Sequence, residues 1–549
     1  MKKNSKIATC ALTLLASISL NAVADKGSHL KHMHDEHENH NAMEESSLNW
    51  YMQGEKAANQ AMIDARKAAK NSRKHAKNII LFVGDGMGVS TVTAARIYDG
   101  QLKGKTGEEN RLFFETLPYQ AMSKTYNTNQ QTPDSAGTMT AMMTGMKSRA
   151  GVISVGQNMA RADCTEIQNN TLTTALEHAE KIGMSTGIVS TARLTHATPA
   201  ATYAHVPERN FEDDRDMAGK PNTAGCKDIA SQLIDLKDRY GNGLEVALGG
   251  GRKNFIQRID GADPENNGKG ERLDHRDLTA EWLADYKNSS YVWNQAQFDA
   301  INPDTTDHLL GLFNMSHMEY EEDRANDIGG EPSLSEMTGK AIEILEKNKK
   351  GFFLHVEAGR IDHAHHAGNA QRALKDTIAF ADAVQTAYEM TDPKDTLIIV
   401  TADHSHVFTI AGYPTRGNPI LGKVIHNDTA GNPKTDHELA KDDMPYTTLG
   451  YTNGLGFADL SIGGDTRYSE PGAAGSRNDL SNIDTENQGF HQEAMVPLGS
   501  ETHAAEDVAI YASGPGASLF QGTVEQNVIF HVMNKAGRLS KRSGLTPVK

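Results

Sequence analysis

The chain has 549 residues, of which 38% are hydrophobic, and this is enough to bury a large core in one big α/β domain or in two domains. Its formal net charge of −16 disfavours non-specific binding to nucleic acid, because a polyanion is repelled everywhere outside a local positive site. An anionic substrate would therefore need metal ions or a few arginines to attract it.

The first 49 residues are predicted to lie outside the folded domain. Residues 1–24 combine a basic start, an apolar stretch from Ile7 to Leu20 and the small residues Ala22-Val23-Ala24, a pattern typical of a cleaved secretory signal. The apolar stretch is shorter than the ~20 residues that a membrane span needs. We therefore expect an exported protein, periplasmic or secreted, with no membrane anchor.

A polar, histidine-rich leader is predicted for residues 25–49. It shows no apolar periodicity, so we interpret it as disordered. Its histidines could collect Zn²⁺ or could simply belong to a solvated segment, and the sequence leaves both readings open. They are His29, His32, His34, His37 and His40.

Strands and helices alternate through the rest of the chain. After a helix predicted over residues 50–77, a short apolar strand over 78–83 ends at Asp85 among glycines. Further strands are predicted over 186–191, 351–357, 396–402 and 508–512, and helices over 171–181, 334–348 and 370–390. The pattern predicts an α/β fold, with a large mixed, mostly parallel central sheet covered by helices on both faces. Ligands bind such sheets beyond the carboxyl ends of the strands.

Asp134 and Ser135 stand where a helix of small residues begins. Ser135 would then lie at a helix N-terminus, whose free N–H groups attract an anionic phosphoryl group. Taken alone, an Asp-Ser pair before a helix is more often a simple N-cap. The fragment therefore suggests a serine nucleophile without establishing one.

The two cysteines of the mature chain are expected to form one disulfide. Cys10 falls inside the predicted signal, which leaves Cys164 and Cys226. An oxidising compartment favours their pairing, and two buried free thiols are the alternative.

Carboxylates and imidazoles collect at the predicted strand ends. Glu357 and the pair Asp403-His404 end two strands, and His503 precedes another. Asp362 and His366 are four residues apart and hence share a helical face. Mixed imidazole and carboxylate sets suit Zn²⁺, and all-oxygen sets suit Mg²⁺. Together with Ser135 they predict metal-assisted displacement at phosphorus.

Two segments differ from this pattern. Residues 412–494 are rich in Gly, Asn, Asp, Pro and Ser without sustained periodicity, and we predict an inserted, loop-rich subdomain there. The main domain is predicted to run from residue 50 to residue 533, followed by a tail over 534–549.

Several motifs resemble those of the alkaline phosphatases, particularly of the animal-type branch. They are Gly84-Asp85-Gly86-Met87-Gly88, Asp134-Ser135-Ala136-Gly137-Thr138, Thr198-Pro199-Ala200, Tyr203-Ala204-His205-Val206, Leu248-Gly249-Gly250-Gly251-Arg252-Lys253, Gly359-Arg360-Ile361-Asp362-His363, Thr401-Ala402-Asp403-His404-Ser405-His406-Val407-Phe408 and Glu501-Thr502-His503. The resemblance runs from about Trp50 to Met533. His196 and His363 stand where that branch has histidines and many bacterial relatives have Asp and Lys. The branch also has a calcium site, but Asn314 follows Phe313 where an acid is expected, and we leave calcium out.

The resemblance implies two Zn²⁺ and one Mg²⁺ per chain. One Zn²⁺ would be held by Asp362, His366 and His503. The second would be held by Asp403, His404 and a shared Asp85. Asp85, Thr198 and Glu357 would hold Mg²⁺, with His196 and His363 next to the metal ligands.

The implied activity is hydrolysis of phosphate monoesters through a phosphoserine on Ser135, with Arg209 clamping the phosphate and Asp134 orienting Arg209. A related phosphodiesterase or sulfatase is the alternative among enzymes, and a periplasmic zinc-binding module is the alternative outside them. The expected partners are small phosphomonoesters and, from the resemblance, a second copy in a homodimer.

Overall fold

The computed structural model describes residues 47–72, 74–456 and 477–548. The predicted signal and the leader up to residue 46 lie outside the described residues. The described part of residues 1–63 belongs to helix α1 (Ser47–Ser72), and residues 64–549 form a separate compact unit that contains every described strand. No helix among the described residues is long and apolar enough to cross a membrane.

The strands of the described residues are β1 (Asn78–Gly84), β2 (Tyr119–Lys124), β3 (Ser185–Arg193), β4 (Val246–Gly250), β5 (Ser289–Val292), β6 (His308–Leu312), β7 (Phe352–Ala358), β8 (Thr396–Ala402), β9 (Ser405–His406), β10 (Phe408–Ile410), β11 (Leu449–Gly454), β12 (Ala494–Pro497), β13 (His503–Ala504), β14 (Val508–Ser513) and β15 (Thr523–Glu525). The helices after α1 are α2 (Val89–Leu102), α3 (Ser135–Thr144), α4 (Ala175–Ile182), α5 (Ala197–Ala200), α6 (Asp214–Met217), α7 (Ile229–Ile234), α8 (Leu236–Arg239), α9 (Leu278–Asp285), α10 (Gln295–Asp299), α11 (Leu334–Leu345), α12 (Arg360–His366), α13 (Ala370–Met390), α14 (Val528–Gly537) and α15 (Leu539–Ser543).

One ten-stranded sheet organises the main unit. Its order is β15-β2-β14-β8-β1-β7-β3-β4-β6-β5. Strand β14 is antiparallel to both of its neighbours, β2 and β8, whereas all the other neighbouring pairs are parallel. The predicted mixed, mostly parallel sheet is confirmed.

Helices cover both faces of this sheet because the central strands bury alternate side chains on each. Ile79, Leu81 and Val83 of β1 pack in one core cluster with residues of α3, α4 and α14. Ile80 and Phe82 pack in the other, with residues of α2, α11 and α13. All seven positions of β1 are buried, as expected for a central parallel strand.

The register of the central strands aligns their carboxyl ends. Gly84 at the end of β1 pairs with Ala358 of β7 and with Ala402 of β8. Asp85 and Asp403 therefore leave neighbouring strands at the same edge. Glu357 pairs across from Val83, one position before the same edge.

The predicted loop-rich insertion and the predicted tail both contain regular secondary structure. Within 412–494, β11 pairs with β10 in antiparallel and with β12 in parallel orientation, so part of the segment is a small sheet; residues 457–476 lie outside the described residues. At the predicted boundary, residue 533, α14 continues from Val528 to Gly537, and Leu539 of α15 is fully buried.

Two predicted helices also have different ends. The helix expected over 171–181 begins later, at Ala175, because the Thr174 hydroxyl accepts the Glu177 N–H at 3.1 Å and caps α4. The N-terminal helix α1 runs from Ser47 to Ser72, and residues 74–77 lead into β1.

The predicted disulfide is confirmed. Cys164 and Cys226 are bonded, with a Cα–Cα distance of 5.7 Å and a sequence separation of 62 residues. Cys164 is buried in the main core cluster and Cys226 packs against it.

We predict that breaking this bond lowers the stability of the main unit, because the unfolded chain regains the freedom of a closed loop of that length. The chain-entropy model gives about 4 kcal/mol, less any native strain. Thermal unfolding of Cys164→Ser/Cys226→Ser should therefore occur at a lower temperature than that of the wild type. Adding reductant should lower the wild-type midpoint and leave the double variant unchanged; equal midpoints for all samples would contradict the prediction.

Candidate metal centre and active site

Acidic and histidine side chains meet at the carboxyl edge of the sheet in three groups. Within each group, donor atoms lie within 4.8 Å of one another. The groups are Asp362, His366, His406 and His503; Asp85, Asp403 and His404; and Asp85, His196 and Glu357. Asp85 belongs to two of them, which joins these two groups at one carboxylate.

The first group surrounds the carboxylate of Asp362 on α12. Nε2 of His366, one helical turn later, lies 3.3 Å from Asp362 Oδ1, and Nε2 of His503 lies at the same distance. The two Nε2 atoms are 3.1 Å apart. Two converging imidazoles and one carboxylate form a donor set of the kind that holds Zn²⁺. The structure thus brings together the three residues predicted for one site.

His406 is a member of this group that the sequence prediction missed. Its Nε2 lies 2.9 Å from Asp362 Oδ1, and its Nδ1 lies 2.6 Å from Glu501 Oε2. A sequence signal for His406 was present. His406 stands two residues after His404 at the end of a strand, and Glu501 and His503 have the same two-residue spacing before the next strand. Strand β9, which contains His406, pairs with β13, which contains His503.

The second group lies next to Ser135. Asp85, Asp403 and His404 are fully buried, and His404 Nε2 lies 3.3 Å from Asp85 Oδ1 and 3.4 Å from Asp403 Oδ2. Adjacent residues diverge in a regular strand, but Asp403 and His404 follow the end of β8, where the backbone is irregular. The Oγ of Ser135 lies 3.2 Å from His404 Nε2.

The third group differs in part from the prediction. Asp85 and Glu357 belong to it as expected, and Thr198 Oγ1 donates to Asp85 Oδ2 at 3.4 Å. His196, predicted as a neighbour of the ligands, contributes a ring nitrogen to the group. Its position at the N-cap of α5, two residues before Thr198, explains why both side chains reach the same place.

The carboxylates of these groups disturb one another's ionisation. Burial and then the charge of Asp362 raise the pKa of Asp85 to about 7, and burial and then Asp85 raise the pKa of Asp403 to about 6. The same two causes raise the pKa of Glu357 well above its usual value. Burial also opposes ionisation of Asp362, but the charge and hydrogen bonds of the surrounding histidines hold its pKa well below normal.

The donor chemistry fits bound cations. Among the described residues, Asp85 Oδ1, Glu357 Oε1 and His196 Nδ1 are buried without a hydrogen-bond partner. An unpaired buried polar atom is costly, and three of them in one donor group point to ligands that a cation would satisfy. Cations would also neutralise the repulsion between the buried carboxylates. These clusters imply that the protein uses metal cofactors.

Asp134 links the helix that begins at Ser135 to Arg209. Its Oδ1 accepts the Gly137 N–H at 3.1 Å, which caps α3, and its Oδ2 lies 3.2 Å from Arg209 Nη1. Arg209 Nη2 lies 3.2 Å from His196 Nε2. The predicted helix N-terminus is confirmed, and the carboxylate of Asp134 that caps the helix also contacts Arg209.

A histidine cluster flanks this arginine. The rings of His196 and His363 are 5.4 Å apart, and His317, which the sequence prediction missed, lies 4.0 Å from His363. Arg193, another arginine near this cluster, bonds Glu212 through Nε at 2.8 Å and Nη2 at 2.7 Å. The remaining nitrogen of its guanidinium, Nη1, bonds Ser316 Oγ at 3.2 Å and His317 Nε2 at 2.5 Å, so the whole guanidinium of Arg193 is engaged within the protein.

Comparison of the chain with known proteins identifies its family. The family model described as alkaline phosphatase matches residues 76–539. The chain belongs to the alkaline phosphatase family. The tissue-nonspecific alkaline phosphatase isozyme of Rattus norvegicus is 44% identical over 485 residues, 87% of this chain and 86% of that one. The alkaline phosphatase of Gadus morhua is 41% identical over 469 residues, 84% of this chain and 92% of that one.

Solved structures of the family share the fold. The alkaline phosphatase from the Antarctic bacterium TAB5 aligns with a TM-score of 0.56 at 22% identity, covering 85% of this chain and 99% of that one. The Thermus thermophilus alkaline phosphatase aligns with a TM-score of 0.59 at 23% identity, covering 88% and 95%. Both likenesses concern the architecture of the sheet and its helices.

We predict that His406→Asn weakens metal binding, because His406 contacts the Asp362 carboxylate that the other two histidines share. Loss of such a contact typically costs about 10- to 100-fold in metal affinity. Metal content after dialysis against graded chelator, measured by inductively coupled plasma mass spectrometry, tests this. The control is His426→Asn, in the insertion, whose metal content should equal that of the wild type. Unchanged retention in His406→Asn would show that His406 has no part in the metal centre.

Proposed function

We propose that this protein is an alkaline phosphatase that hydrolyses phosphate monoesters through a phosphoserine intermediate on Ser135. The observation that carries the proposal is the position of the Ser135 hydroxyl, at the first residue of α3 and 3.2 Å from a histidine of the second donor group. A helix N-terminus favours an incoming anion. Membership of the family supports the same reaction.

The proposed metal content is two Zn²⁺ and one Mg²⁺ per chain. Asp362, His366 and His503 would hold one Zn²⁺, with His406 supporting or joining them. Asp85, Asp403 and His404 would hold the other. Asp85, Glu357 and Thr198 would hold Mg²⁺, although the ring nitrogen of His196 in this group makes it a mixed donor set.

When bound, these ions supply the positive charge that favours the Ser135 alkoxide and the departing ester oxygen. The chain's own residues perform the transfer. Ser135 gives up its hydroxyl proton, and its Oγ forms a bond to phosphorus as the bond to the ester oxygen breaks. The ester oxygen leaves as an alkoxide with the electron pair and takes up one proton to become the alcohol. Water then attacks the phosphoserine, releases inorganic phosphate and restores the serine hydroxyl.

Arg209 is proposed to hold the phosphoryl oxygens during both steps. A guanidinium offers two parallel N–H donors to two such oxygens, which a lysine does not. Asp134 and His196, each 3.2 Å from an Arg209 nitrogen, would orient it, and His363 would support His196.

Three other functions remain as alternatives with distinct outcomes. A sulfatase is disfavoured because Ser135 lacks a Cys/Ser-x-Pro-x-Arg context, and a diesterase is disfavoured by the third donor group at Glu357. A zinc-binding module would take up metal and hydrolyse nothing. Comparing turnover of an aryl phosphate, its diester and the aryl sulfate separates the three.

The proposed location is the periplasm or the exterior of the cell. The disulfide between Cys164 and Cys226 supports it, because such bonds persist in oxidising compartments. We further propose that the substrates are small phosphomonoesters and that the protein has no specific binding of nucleic acid and no membrane anchor. We also propose that two copies form a homodimer, which sedimentation analysis would test. The domain limits proposed for the enzyme are residues 50–533, with an insertion over about 412–494. The family model matches residues 76–539.

We predict that chelation abolishes turnover and that Zn²⁺ together with Mg²⁺ restores it, because buried carboxylates would otherwise repel an anionic ester. The assay is hydrolysis of a simple aryl phosphate before chelation, after it, and after addition of each metal alone. Zn²⁺ alone should restore part of the activity, and Mg²⁺ alone none. Full turnover by metal-free protein would overturn the assignment of all three groups.

We predict unequal effects for Ser135→Ala and Arg209→Ala, because one residue forms a covalent bond and the other holds charge. Ser135→Ala should lower kcat by at least about 10³-fold and abolish acid-stable labelling by phosphate. Arg209→Ala should lower kcat/KM by roughly 10- to 100-fold and weaken inhibition by phosphate. Label found on another residue, or near-normal turnover by Ser135→Ala, would show that the nucleophile is wrong.

A further inference from the structure

Arg161 forms a planar double contact with the residue that precedes the proposed phosphate clamp. Its Nε donates to Glu208 Oε2 at 2.8 Å and its Nη2 donates to Glu208 Oε1 at 2.9 Å. Glu208 Oε1 also accepts the N–H of Asn210 at 3.1 Å. The carboxylate of Glu208 therefore bridges Arg161 to the backbone on the far side of Arg209.

Gly151 connects Arg161 to the same place by a second route. A Cβ on Gly151, whose φ is +79°, would lie 2.5 Å from the central carbon of the Arg161 guanidinium, so only a glycine admits this close approach. The Gly151 N–H donates to Asp134 Oδ2 at 2.8 Å, and its carbonyl accepts the Arg209 N–H at 2.9 Å. Arg161 thus lies against the residue that bonds both Asp134 and Arg209.

The electrostatics agree with this proximity. The hydrogen bond to Glu208 raises the pKa of the Arg161 guanidinium, and the charges of Glu208 and Asp134 raise it further, against the opposing effect of burial. The side chain of Glu208 is 11% exposed and that of Arg161 is 50% exposed. The pair is anchored at its acidic end, where it joins the turn that contains Arg209.

We propose that Arg161 is a positioning residue for the reaction, which fixes the turn 208–210 and thereby holds Arg209 in its phosphate-binding position. The inference rests on the proposed role of Arg209. A long side chain on a turn has many rotamers, and fixing its backbone in advance reduces the entropy lost when phosphate binds. The planar guanidinium is essential to this role, because it donates to both carboxylate oxygens of Glu208 while one of them, Oε1, also accepts the Asn210 N–H.

The test uses the full-length, metal-saturated enzyme and inorganic phosphate as a competitive inhibitor of aryl phosphate hydrolysis. The variants are Arg161→Ala, Arg161→Lys, Arg209→Ala and the double variant Arg161→Ala/Arg209→Ala. Arg324→Ala is the matched control, because Arg324 forms the same double contact with Glu321, at 2.9 Å for both bonds, and neither residue is a member of the described donor groups. Thermal unfolding of each variant verifies that it is folded.

Arg161→Ala should weaken phosphate inhibition by about 3- to 10-fold and raise KM by a similar factor, with kcat changed less than about twofold. Arg161→Lys should behave in the same way, since it keeps the charge and loses the fork. Phosphate should inhibit the double variant as strongly as it inhibits Arg209→Ala, because Arg161 acts through Arg209. Arg324→Ala should retain wild-type phosphate inhibition.

Three results would overturn the inference while leaving the clamp intact. The first is wild-type phosphate inhibition in Arg161→Ala, and the second is wild-type phosphate inhibition in Arg161→Lys, which would assign the effect to charge. The third is a loss of phosphate inhibition in the double variant that equals the sum of the losses in the two single variants. A fall in kcat without a change in phosphate inhibition would assign Arg161 a purely structural part and overturn it too. If Arg209→Ala itself leaves phosphate inhibition unchanged, the clamp fails and this inference fails with it.

Discussion

The repulsion between buried carboxylates at the carboxyl edge of the sheet is the constraint on which the rest of this structure depends. Asp85, Glu357 and Asp403 lie fully buried at the carboxyl ends of neighbouring strands, and each has a raised pKa because burial and a nearby acid oppose its ionisation. Only a rigid scaffold keeps such groups together, and the aligned register of β1, β7 and β8 provides it. The same repulsion makes the edge a strong attractor for cations.

Cations at this edge also change what a protein of charge −16 can bind. Without them, the edge and the surrounding field would both repel a phosphate ester. Asp362 shows the opposite balance, because three histidines converge on its carboxylate and keep it ionised. The centre therefore contains one carboxylate matched by imidazoles and three whose ionisation is opposed by burial and by neighbouring acids.

Asp134 shows how one side chain links a helix cap to the proposed phosphate clamp. One oxygen caps α3 and the other contacts Gly151 and Arg209, so the helix that begins at Ser135 and the proposed clamp share one carboxylate. The capping interpretation, which is the more common one for an Asp-Ser pair, is therefore no argument against a catalytic site here. Glu208 plays a comparable part on the other side of Arg209, since it joins Arg161 to the turn.

The sequence by itself determined the strand ends, the residue types at them and the family, because buried strands and imidazole or carboxylate donors are local properties of the chain. Its motifs also pointed to Ser135, Asp85, Asp403 and His503. Only the tertiary structure decided the grouping: that His406 joins Asp362, that His196 joins Glu357, and that Arg193 is tied to Glu212. These contacts join residues that are not neighbours in the chain. The two-residue spacing of His404 and His406 marks His406 as a candidate, but neither this spacing nor helical spacing says which partner each residue meets. The pairing of β11 and the burial of Leu539, which the sequence pattern failed to predict, depend on the same long-range packing.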